Sequence, residues 1–387
     1  MEAHMDLEMF HGLAEATGPF VSVTIDVTKT DPATSDDLDA RWRDIVRRLV
    51  ADGAPREVVD SLEEAALAPT GHGGLRGRLL VANADGLLDA VELPVRPRED
   101  ATWGPIPSLV PAVRALAGTL PHVVVRLDRS GADVEVVPGV GEPETTSVES
   151  GHDEIHRAGA PATAQRKFQA RVEDSWERNA AAVAEQLDRV VREHRPEVVV
   201  LMGDEHAMSY LEHHASDALR SRIVRLRTGG RGEGTSEVAE REATESVLAA
   251  TRAAAEADVV GRFEEQTGRA QAAAEGLEPV VEVLQRAQVD EVLLVEGRVH
   301  DHPLWVGSGR LQIGSTREEA SLAGASEPVE VPADAALVWA AVCSRAGVTL
   351  VDPGQAHPAD GVGAVLRWSD ESTPRSRFPS MPGHGGE

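Results

Sequence analysis

One stretch of the chain is basic in a protein that is strongly acidic overall. The segment Ile155–Val172 contains Arg157, Arg166, Lys167 and Arg171 and no Asp or Glu, whereas the whole chain has a formal net charge of −27. Clustered Arg and Lys attract phosphate, and an acidic surface repels it. Any contact with nucleic acid must therefore be local, and the sequence predicts it in this segment.

The same cations lie where a helix does not favour them. If Thr163 or a neighbouring residue caps a helix, then Arg166, Lys167 and Arg171 fall in its first turns, where the helix dipole disfavours each cation by about 0.3–1 kcal/mol. Helix stability therefore does not explain them. We expect the segment to contact RNA phosphate, with Phe168 either in the core or stacked on a base. The alternative is a basic face that is only solvated.

Two aspartates could do metal-dependent chemistry. Asp128 and Asp204 each follow a predicted buried strand, a position from which nucleases of related topology hold two metal ions for phosphoryl transfer. A structural role explains them better. Asp128 precedes a hairpin turn at Ser130-Gly131, and Asp204 can cap the helix that follows Gly203. We expect the structural roles and keep the nuclease as an alternative.

Histidines are grouped in three places, which raises the question of a zinc site. The groups are His152 and His156; His206, His213 and His214; and His300 and His302. Imidazole nitrogens ligate zinc together with Asp or Glu, but these spacings match no zinc motif. The glycine-rich pieces at 71–74 and 229–232 also lack the Gly-Lys-Ser or Gly-Lys-Thr of a phosphate-binding loop. We expect no metal and no cofactor.

Length and cysteine content set broader limits. A chain of 387 residues fits two or three domains. Its single cysteine, Cys343, excludes a disulfide framework and a cysteine-rich zinc site, and a reducing compartment suits it best. No stretch reads as a signal peptide or reaches the roughly 18 apolar residues of a membrane span. We expect a cytoplasmic protein.

The periodicity of apolar residues predicts three domains and a tail, at 1–120, 121–258, 259–369 and 370–387. The first domain has strands Phe20–Val27, Arg78–Ala82 and Leu87–Leu93, helices Leu38–Val50 and Pro55–Leu67, and a closing Pro-rich stretch, Pro94–Pro111. The second begins with a hairpin of strands at His122–Asp128 and Ala132–Val137. It continues with helix Val172–His194, strand Glu197–Met202, helix Met208–Ala218, strand Ile223–Leu226 and helix Ser236–Val260.

The third domain is predicted as a small α/β sandwich. It contains helices Arg269–Ala287 and Ala333–Ala346 and strands Val289–Glu296, Val348–Val351 and Ala364–Trp368. The tail from residue 370 is rich in Ser, Pro and Gly and is expected to be disordered. Strands interleaved with helices place the whole chain in the mixed α/β class.

These regions resemble archaeo-eukaryotic class I release factors and Pelota. Two segments carry the resemblance to the C-terminal domain of that family. Its opening helix and strand are similar to the segment from Gly268-Arg269-Ala270 through Gly276 to Leu294, and its closing strand is similar to Asp360–Arg367. The hairpin at Val123–Val137 and the segment Gln165–Arg171 resemble the start of the middle domain. Within this superfamily, Arg171–Asn179 looks most like the bacterial branch that includes the ribosome-hibernation factor Balon.

The resemblance implies a three-domain fold: an N-terminal α/β domain, an RNase H-like middle domain and a ribosomal protein L7Ae-like C-terminal α/β sandwich. It further implies a monomer that binds the 70S ribosome in the A site and contacts rRNA. P-site tRNA and elongation factor Tu are further partners that it suggests. The residues expected to carry the RNA contact are Arg157, Gln165, Arg166, Lys167, Phe168 and Arg171.

Two motifs of the release factors are missing. The loop Arg157–Gln165 contains no Gly-Gly-Gln, the tripeptide that directs water at the peptidyl-tRNA ester, and Ala160 and Pro161 restrict its backbone. The turn Asp52–Pro55 replaces the decoding motif Asn-Ile-Lys-Ser. The expected function is therefore ribosome hibernation or protection without catalysis. The alternatives are a peptidyl-tRNA hydrolase with Gln165 as a weak catalytic candidate, and a scaffold that binds only protein.

Overall fold

The computed structural model describes residues 7–28, 34–70, 75–128, 130–141, 143–149, 162–227, 236–269 and 271–374. The chain forms two compact units. The terminal unit combines Met1–Gly118 with Ala255–Glu387, and the middle unit is Thr119–Ala254. Each contains helices packed on sheets, so the predicted mixed α/β class is confirmed.

The N-terminal part of the terminal unit is an antiparallel sheet covered by helices. Its elements are β1 (Phe20–Asp26), α1 (Thr34–Ala51), α2 (Arg56–Asp60), α3 (Glu63–Leu67), β2 (Gly77–Asn83), β3 (Gly86–Leu93), β4 (Asp100–Gly104) and α4 (Val110–Ala117), after a 3-10 helix, Glu8–Glu15. The strand order is β3-β2-β1-β4. The single helix predicted at Pro55–Leu67 is wrong, since two short helices occupy it. The sequence also missed β4, a short strand between prolines that pairs with β1.

The periodicity of α1 explains this layer. Trp42, Ile45 and Leu49 recur at helical spacing, are buried, and pack against Val23 and Ile25 of β1. All of β1 is buried because it is an inner strand and the helices cover its face. The helical pattern of the sequence therefore positions the layer correctly.

The middle unit is a five-stranded sheet between helices. Its strands are β5 (His122–Leu127), β6 (Gly131–Val137), β7 (Glu144–Glu149), β8 (Val198–Gly203) and β9 (Ile223–Leu226), and its helices are α5 (Ala162–His194), α6 (Glu205–His214), α7 (Asp217–Arg220) and the first part of α8 (Glu237–Gly268). The order is β7-β6-β5-β8-β9, with β5, β8 and β9 parallel and the others antiparallel. The predicted hairpin and the parallel strand that follows the long helix are present.

Two differences from the sequence prediction concern the polar part of this unit. The sequence does not predict β7, because its residues are mostly exposed and polar and have no alternating apolar face. Helix α5 begins at Ala162 rather than at Val172. The basic residues of the 155–172 segment from Gln165 onward therefore have helical backbone. Residues 150–161 and 228–235 lie outside the described residues.

The two faces of β5 pack on different layers. Val123 and Val125 are buried with Leu187 of α5, and Val124 is buried with Leu248 of α8. Successive side chains of a strand point to opposite faces, which explains the division.

An ion pair fastens the same helix to the sheet. Arg126 of β5 donates from Nε to Glu240 of α8 and from Nη1 to Glu135 of β6, both over 3.0 Å. Burial disfavours the cation, but the hydrogen bonds and charges of Glu240 and Glu135 outweigh that effect and raise the pKa of Arg126.

The C-terminal part of the terminal unit contains two sheets. Its elements are β10 (Ala273–Glu275), α9 (Leu277–Gln285), β11 (Val289–Val295), β12 (Pro303–Val306), β13 (Ile313–Gly314), α10 (Arg317–Leu322), β14 (Val329–Pro332), α11 (Ala333–Ser344), β15 (Gly347–Val351) and β16 (Val362–Leu366). The orders are β10-β16-β11-β15 and β13-β12-β14. The strands predicted near β11, β15 and β16 are present.

The predicted helix Arg269–Ala287 is wrong. Helix α8 continues through Gly268, a short strand follows, and α9 starts only at Leu277. Gly276 precedes α9 with φ of 88°, a left-handed conformation that interrupts a right-handed helix and that glycine adopts readily. The sequence also missed α10, although Thr316 and Glu319 form a capping box at its start.

The chain keeps its packing beyond residue 369. Arg286 donates to the carbonyl of Ser372 over 2.7 Å, and Gln288 donates to the hydroxyl of Thr373 over 3.2 Å. Thr373 is buried. Residues 370–374, which we expected to begin a disordered tail, therefore form a packed turn, and 375–387 lie outside the described residues.

Helix α11 joins the two parts of the terminal unit. Every residue except the half-buried Ala335 is buried, since α9 and β11 contact the helix from the C-terminal part and α4 and the 3-10 helix from the N-terminal part. The rings of Trp339 and Phe20 meet edge to face with centroids 5.8 Å apart. Gly18 N donates to Ser308 O over 3.1 Å. The N-terminal sheet and the C-terminal sheets thus share one core.

Replacing Phe10 tests this shared core. Phe10 lies in the 3-10 helix and is fully buried, so Phe10→Ala should destabilise the terminal unit by about 3–5 kcal/mol. Hydrogen exchange of the full chain should show lost protection in β1 and β2 and, equally, in β11 and β16.

Leu187→Ala is the matched control, because Leu187 is as fully buried but lies in the middle unit. It should lower protection in β5 and β8 only. If Phe10→Ala increases amide hydrogen exchange in the N-terminal sheet alone, the shared core is contradicted.

Candidate functional site

The carboxyl edge of the middle sheet requires glycine where two strands meet. Strands β5 and β8 are parallel, and Leu127 pairs with Gly203 at their ends. Gly203 has φ of +124°, and a Cβ there would lie 1.9 Å from the carbonyl oxygen of Leu127. The next residue, Asp204, donates from its backbone nitrogen to the same oxygen over 3.2 Å. No side chain fits at 203 without moving β5.

Helix α5 runs past this edge. Trp176, Asn179 and Ala180 line a small cavity there with Leu127 and Asp128. The cavity measures about 10 Å³, which is at most enough for one water molecule, so it is no small-molecule site. The part of α5 before Trp176 contributes roughly 20 Å more of helix at 1.5 Å per residue. This leading part carries the predicted RNA-binding residues.

The predicted residues fall in one continuous helical segment. Gln165, Arg166, Lys167, Phe168 and Arg171 belong to the first three turns of α5, and Lys167 and Arg171 are four residues apart and so share a face. Their side chains lie outside the described residues. Arg157, the remaining predicted residue, is also outside. Their role in RNA binding stays a prediction.

The two nuclease candidates have structural roles. Asp128 Oδ1 accepts hydrogen bonds from the backbone nitrogens of Ser130 and Gly131 over 2.7 and 2.9 Å, which closes the hairpin turn. Asp204 Oδ1 accepts from the backbone nitrogens of His206 and Ala207 over 2.9 and 3.1 Å, as the N-cap of α6. Turn and cap account for both carboxylates, and the structure favours these roles over metal chemistry.

The described histidines do not form a metal site. His214 Nε2 lies 3.5 Å from Glu177, and His300 Nδ1 lies 3.0 Å from the buried carboxylate of Asp334. No group of three His, Cys, Asp or Glu side chains in the described residues could hold a metal ion. His152 and His156 lie outside these residues.

The single thiol is not an activated nucleophile. Cys343 is fully buried in α11, and burial raises its pKa to about 12. Nucleophilic cysteines need the opposite shift, because the thiolate is the reactive form. Cys343 therefore belongs to the core.

A second group of cations, not singled out by the sequence analysis, lies at the other end of α5. Arg189, Arg192 and Arg195 are all exposed. The signal that could have identified them is their density, with three arginines in the seven residues 189–195.

Comparison with known protein families gives the class of the protein. Residues 121–269 match the sequence model of bacterial archaeo-eukaryotic release factor family 2. The chain belongs to this family. The narrower resemblance to the Balon branch stays a prediction.

Relatives extend the match over nearly the whole chain. The sequence is 30% identical over 374 residues to the uncharacterized protein Rv2629 of Mycobacterium tuberculosis, covering 94% of this chain and 97% of that protein. It is 24% identical over 206 residues to the Pelota homolog of Natronomonas pharaonis, covering 49% of this chain and 56% of that protein.

Among solved structures, the chain is similar to Archaeoglobus fulgidus Pelota, with 14% identity, 94% and 92% coverage and a TM-score of 0.34. It is also similar to the archaeal translation termination factor aRF1, with 12% identity, 93% and 96% coverage and a TM-score of 0.24. Scores this low add nothing to the family relationship, which rests on sequence. Within the described ranges, no helix is long and apolar enough to cross a membrane.

Gly203→Ala tests the close approach at the sheet edge. The added Cβ would collide with the Leu127 carbonyl and would also force a left-handed residue, so we expect a loss of at least about 2 kcal/mol in unfolding free energy. Thermal denaturation followed by circular dichroism measures it. Gly261→Ala is the control, since its site in α8 is open and the change should stabilise by about 0.5–1 kcal/mol. Equal melting temperatures for Gly203→Ala and the wild type would refute the steric argument.

Glu256→Gln tests a half-buried charge in the terminal unit. Burial raises the pKa of Glu256, and Asp352 and Glu296 raise it further, although Asp352 N donates a hydrogen bond to it. Because the folded form binds the proton more tightly than the unfolded form, the stability contribution of Glu256 falls as pH rises from about 4 toward 7.

The variant keeps the acceptor oxygen and removes the charge, so its melting temperature should exceed that of the wild type at neutral pH and approach it in acid. The exposed Glu264 on the same helix supplies the control, Glu264→Gln, which should show no such pH-dependent difference. If the difference in melting temperature between Glu256→Gln and the wild type grows as the pH is lowered, the sign is wrong and the explanation is refuted.

Proposed function

We propose that this protein is a ribosome-associated translation factor that occupies the A site of the 70S ribosome and protects idle or stalled ribosomes without catalysis. Membership of a release-factor family supports the ribosome as partner. In this proposal the protein acts as a cytoplasmic monomer, contacts rRNA, and has P-site tRNA and elongation factor Tu as further partners.

The observation that carries the proposal is the acid-free basic segment and its place on α5. The first turns of this helix carry Arg166, Lys167 and Arg171 with no carboxylate between them. These turns precede the part of the helix that lines the edge of the sheet, where Asp128 and Asp204 are engaged in a turn and a cap. A helix that carries cations in its first turns is suited to contact RNA from an otherwise acidic body.

The sequence of the leading loop favours binding over hydrolysis. Release factors hold water with a Gly-Gly-Gln backbone and side chain, and here Ala160 and Pro161 replace glycine. A Cβ and a fixed φ keep the chain from approaching a tRNA end as two glycines would. Noncatalytic occupation of the A site is therefore the preferred function.

Co-sedimentation with vacant 70S ribosomes across a salt series tests the proposal. Wild-type protein should bind at low salt and lose affinity as salt rises, and Arg166→Glu with Lys167→Glu should abolish binding at moderate salt, because phosphate contacts become repulsive. Arg241→Glu with Arg269→Glu is the matched control, since both residues are exposed and the charge change is the same. A wild type that does not bind at low salt, with or without elongation factor Tu, refutes the ribosomal function.

A second candidate, peptidyl-tRNA hydrolysis, is favoured by one observation. Gln165 lies at the start of α5 in the segment that resembles the release-factor loop, and an amide can orient water. Under this alternative, purified protein should release peptide from ribosome-bound peptidyl-tRNA and Gln165→Ala should eliminate the release. Under our preferred function, wild type and Gln165→Ala bind ribosomes equally and neither releases peptide.

A further inference from the structure

The carboxyl end of α5 presents three arginines to solvent. Arg189 and Arg192 lie on the side of the helix away from the buried stripe of Leu187, Val190 and Val191. Arg195 follows the last turn. Within the described part of the chain, none of the three guanidinium groups has an ion pair or a side-chain hydrogen bond. Three unpaired cations in a chain of net charge −27 need an explanation.

The backbone next to these arginines is fixed by two further arginines. Arg222 donates from Nε to the carbonyl of Pro196 over 2.9 Å and from Nη1 to that of Ala218 over 2.8 Å. Arg220 donates to the carbonyl of Ala215 over 2.7 Å. Arg222 therefore braces the end of α5 against α7, and Arg220 braces α7 against the end of α6. We call Arg189, Arg192 and Arg195 the arginine surface.

The carboxylates nearby leave this surface cationic. Asp188 accepts hydrogen bonds from Ser216, and Asp217 pairs with Arg220 over 3.0 Å. Glu185 and Glu193 are exposed on the same turns and offset two of the three positive charges. The exposed groups at this end of the helix thus retain an excess of one positive charge.

Helix stability explains only part of the pattern. Cations in the last turn interact favourably with the helix dipole, which accounts for Arg192. It does not account for Arg195, which lies beyond the helix in a left-handed conformation with φ of 45°. Glycine or asparagine adopts that conformation at lower cost. Arginine at this position is therefore better explained by a contact than by folding.

We infer that the arginine surface binds the phosphate backbone of RNA as a second contact of the middle unit. The assignment of that RNA to the ribosome rests on the proposed function. Arg166 and Arg192 are separated along α5 by roughly 40 Å at 1.5 Å per residue. No small anion spans that distance, whereas an extended polyanion does, and guanidinium groups pair with phosphate oxygens in a bidentate manner.

Binding to 70S ribosomes across a salt series tests the inference. The triple variant Arg189→Gln, Arg192→Gln, Arg195→Gln should bind more weakly, and the slope of log affinity against log salt should become shallower by about 0.7–0.9 per lost phosphate contact, or roughly two in total. The Arg→Lys triple variant keeps the charge and should retain most of the slope. An unchanged melting temperature of the glutamine variant excludes unfolding as the cause of its weaker binding. If the glutamine variant melts at a lower temperature, binding by the lysine variant and by the single Arg→Gln variants tests the inference instead.

Three outcomes would overturn the inference, and they are distinguishable from failure of the proposed function. If the wild type and the glutamine variant show the same slope of log affinity against log salt on ribosomes, the arginine surface does not contact RNA. Loss of binding to ribosomes with unchanged binding to protein-free rRNA would assign it to an acidic ribosomal protein. If the wild-type protein does not bind ribosomes, the proposed function fails. The same salt series with protein-free rRNA then tests the arginine surface by itself. If the wild type and the glutamine variant bind this rRNA equally, or if neither binds it, the inference is overturned.

Discussion

The burial of α11, where every residue except Ala335 is enclosed, is the constraint on which the terminal unit depends. A helix that is apolar all round has no face that water can cover, so neighbours must enclose it on every side. The C-terminal part supplies only some of these neighbours, and the 3-10 helix and α4 of the N-terminal part supply the others. Polar contacts reinforce the join: Arg310 donates to the carbonyl of Cys343 at the end of α11 and lies 3.6 Å from Glu15. The first and last regions of the sequence thus form one body.

The middle unit has a different organisation, because its sheet is complete within one continuous stretch of chain. Its central strands approach so closely at Gly203 that backbone alone fits, and this fixes where α6 starts and how Asp204 caps it. The long helix α5 packs on the sheet through Ala180, Val183 and Leu187. At its carboxyl end, Arg189 and Arg192 are exposed on the side away from this packed stripe. Packing and charge therefore occupy different faces of this part of the helix.

The sequence predicted the elements whose apolar residues recur regularly, and it failed where other interactions determine the structure. Trp42, Ile45 and Leu49 give α1 correctly, while β7 is held by pairing with β6 and has little apolar pattern to detect. The split of the predicted helix Arg269–Ala287 depends on the conformation of Gly276, which composition does not reveal. For the candidate site, the clustering of Arg166, Lys167 and Arg171 was visible in the sequence. The exposure of Arg189 and Arg192 depends on which side of α5 packs, which only the fold decides.

The terminal unit is discontinuous in sequence, and this has a consequence for the order in which the chain acquires its structure during synthesis. The middle unit is contiguous and has all its strands and main helices once residue 254 has emerged. The N-terminal sheet emerges first, yet its apolar 3-10 helix and α4 find their partner only when residues 333–344 follow. Long-range contacts of this kind slow folding and leave apolar surface exposed meanwhile. The nascent chain therefore spends more than two hundred residues of translation with an incomplete first domain, a period in which protection by chaperones matters most.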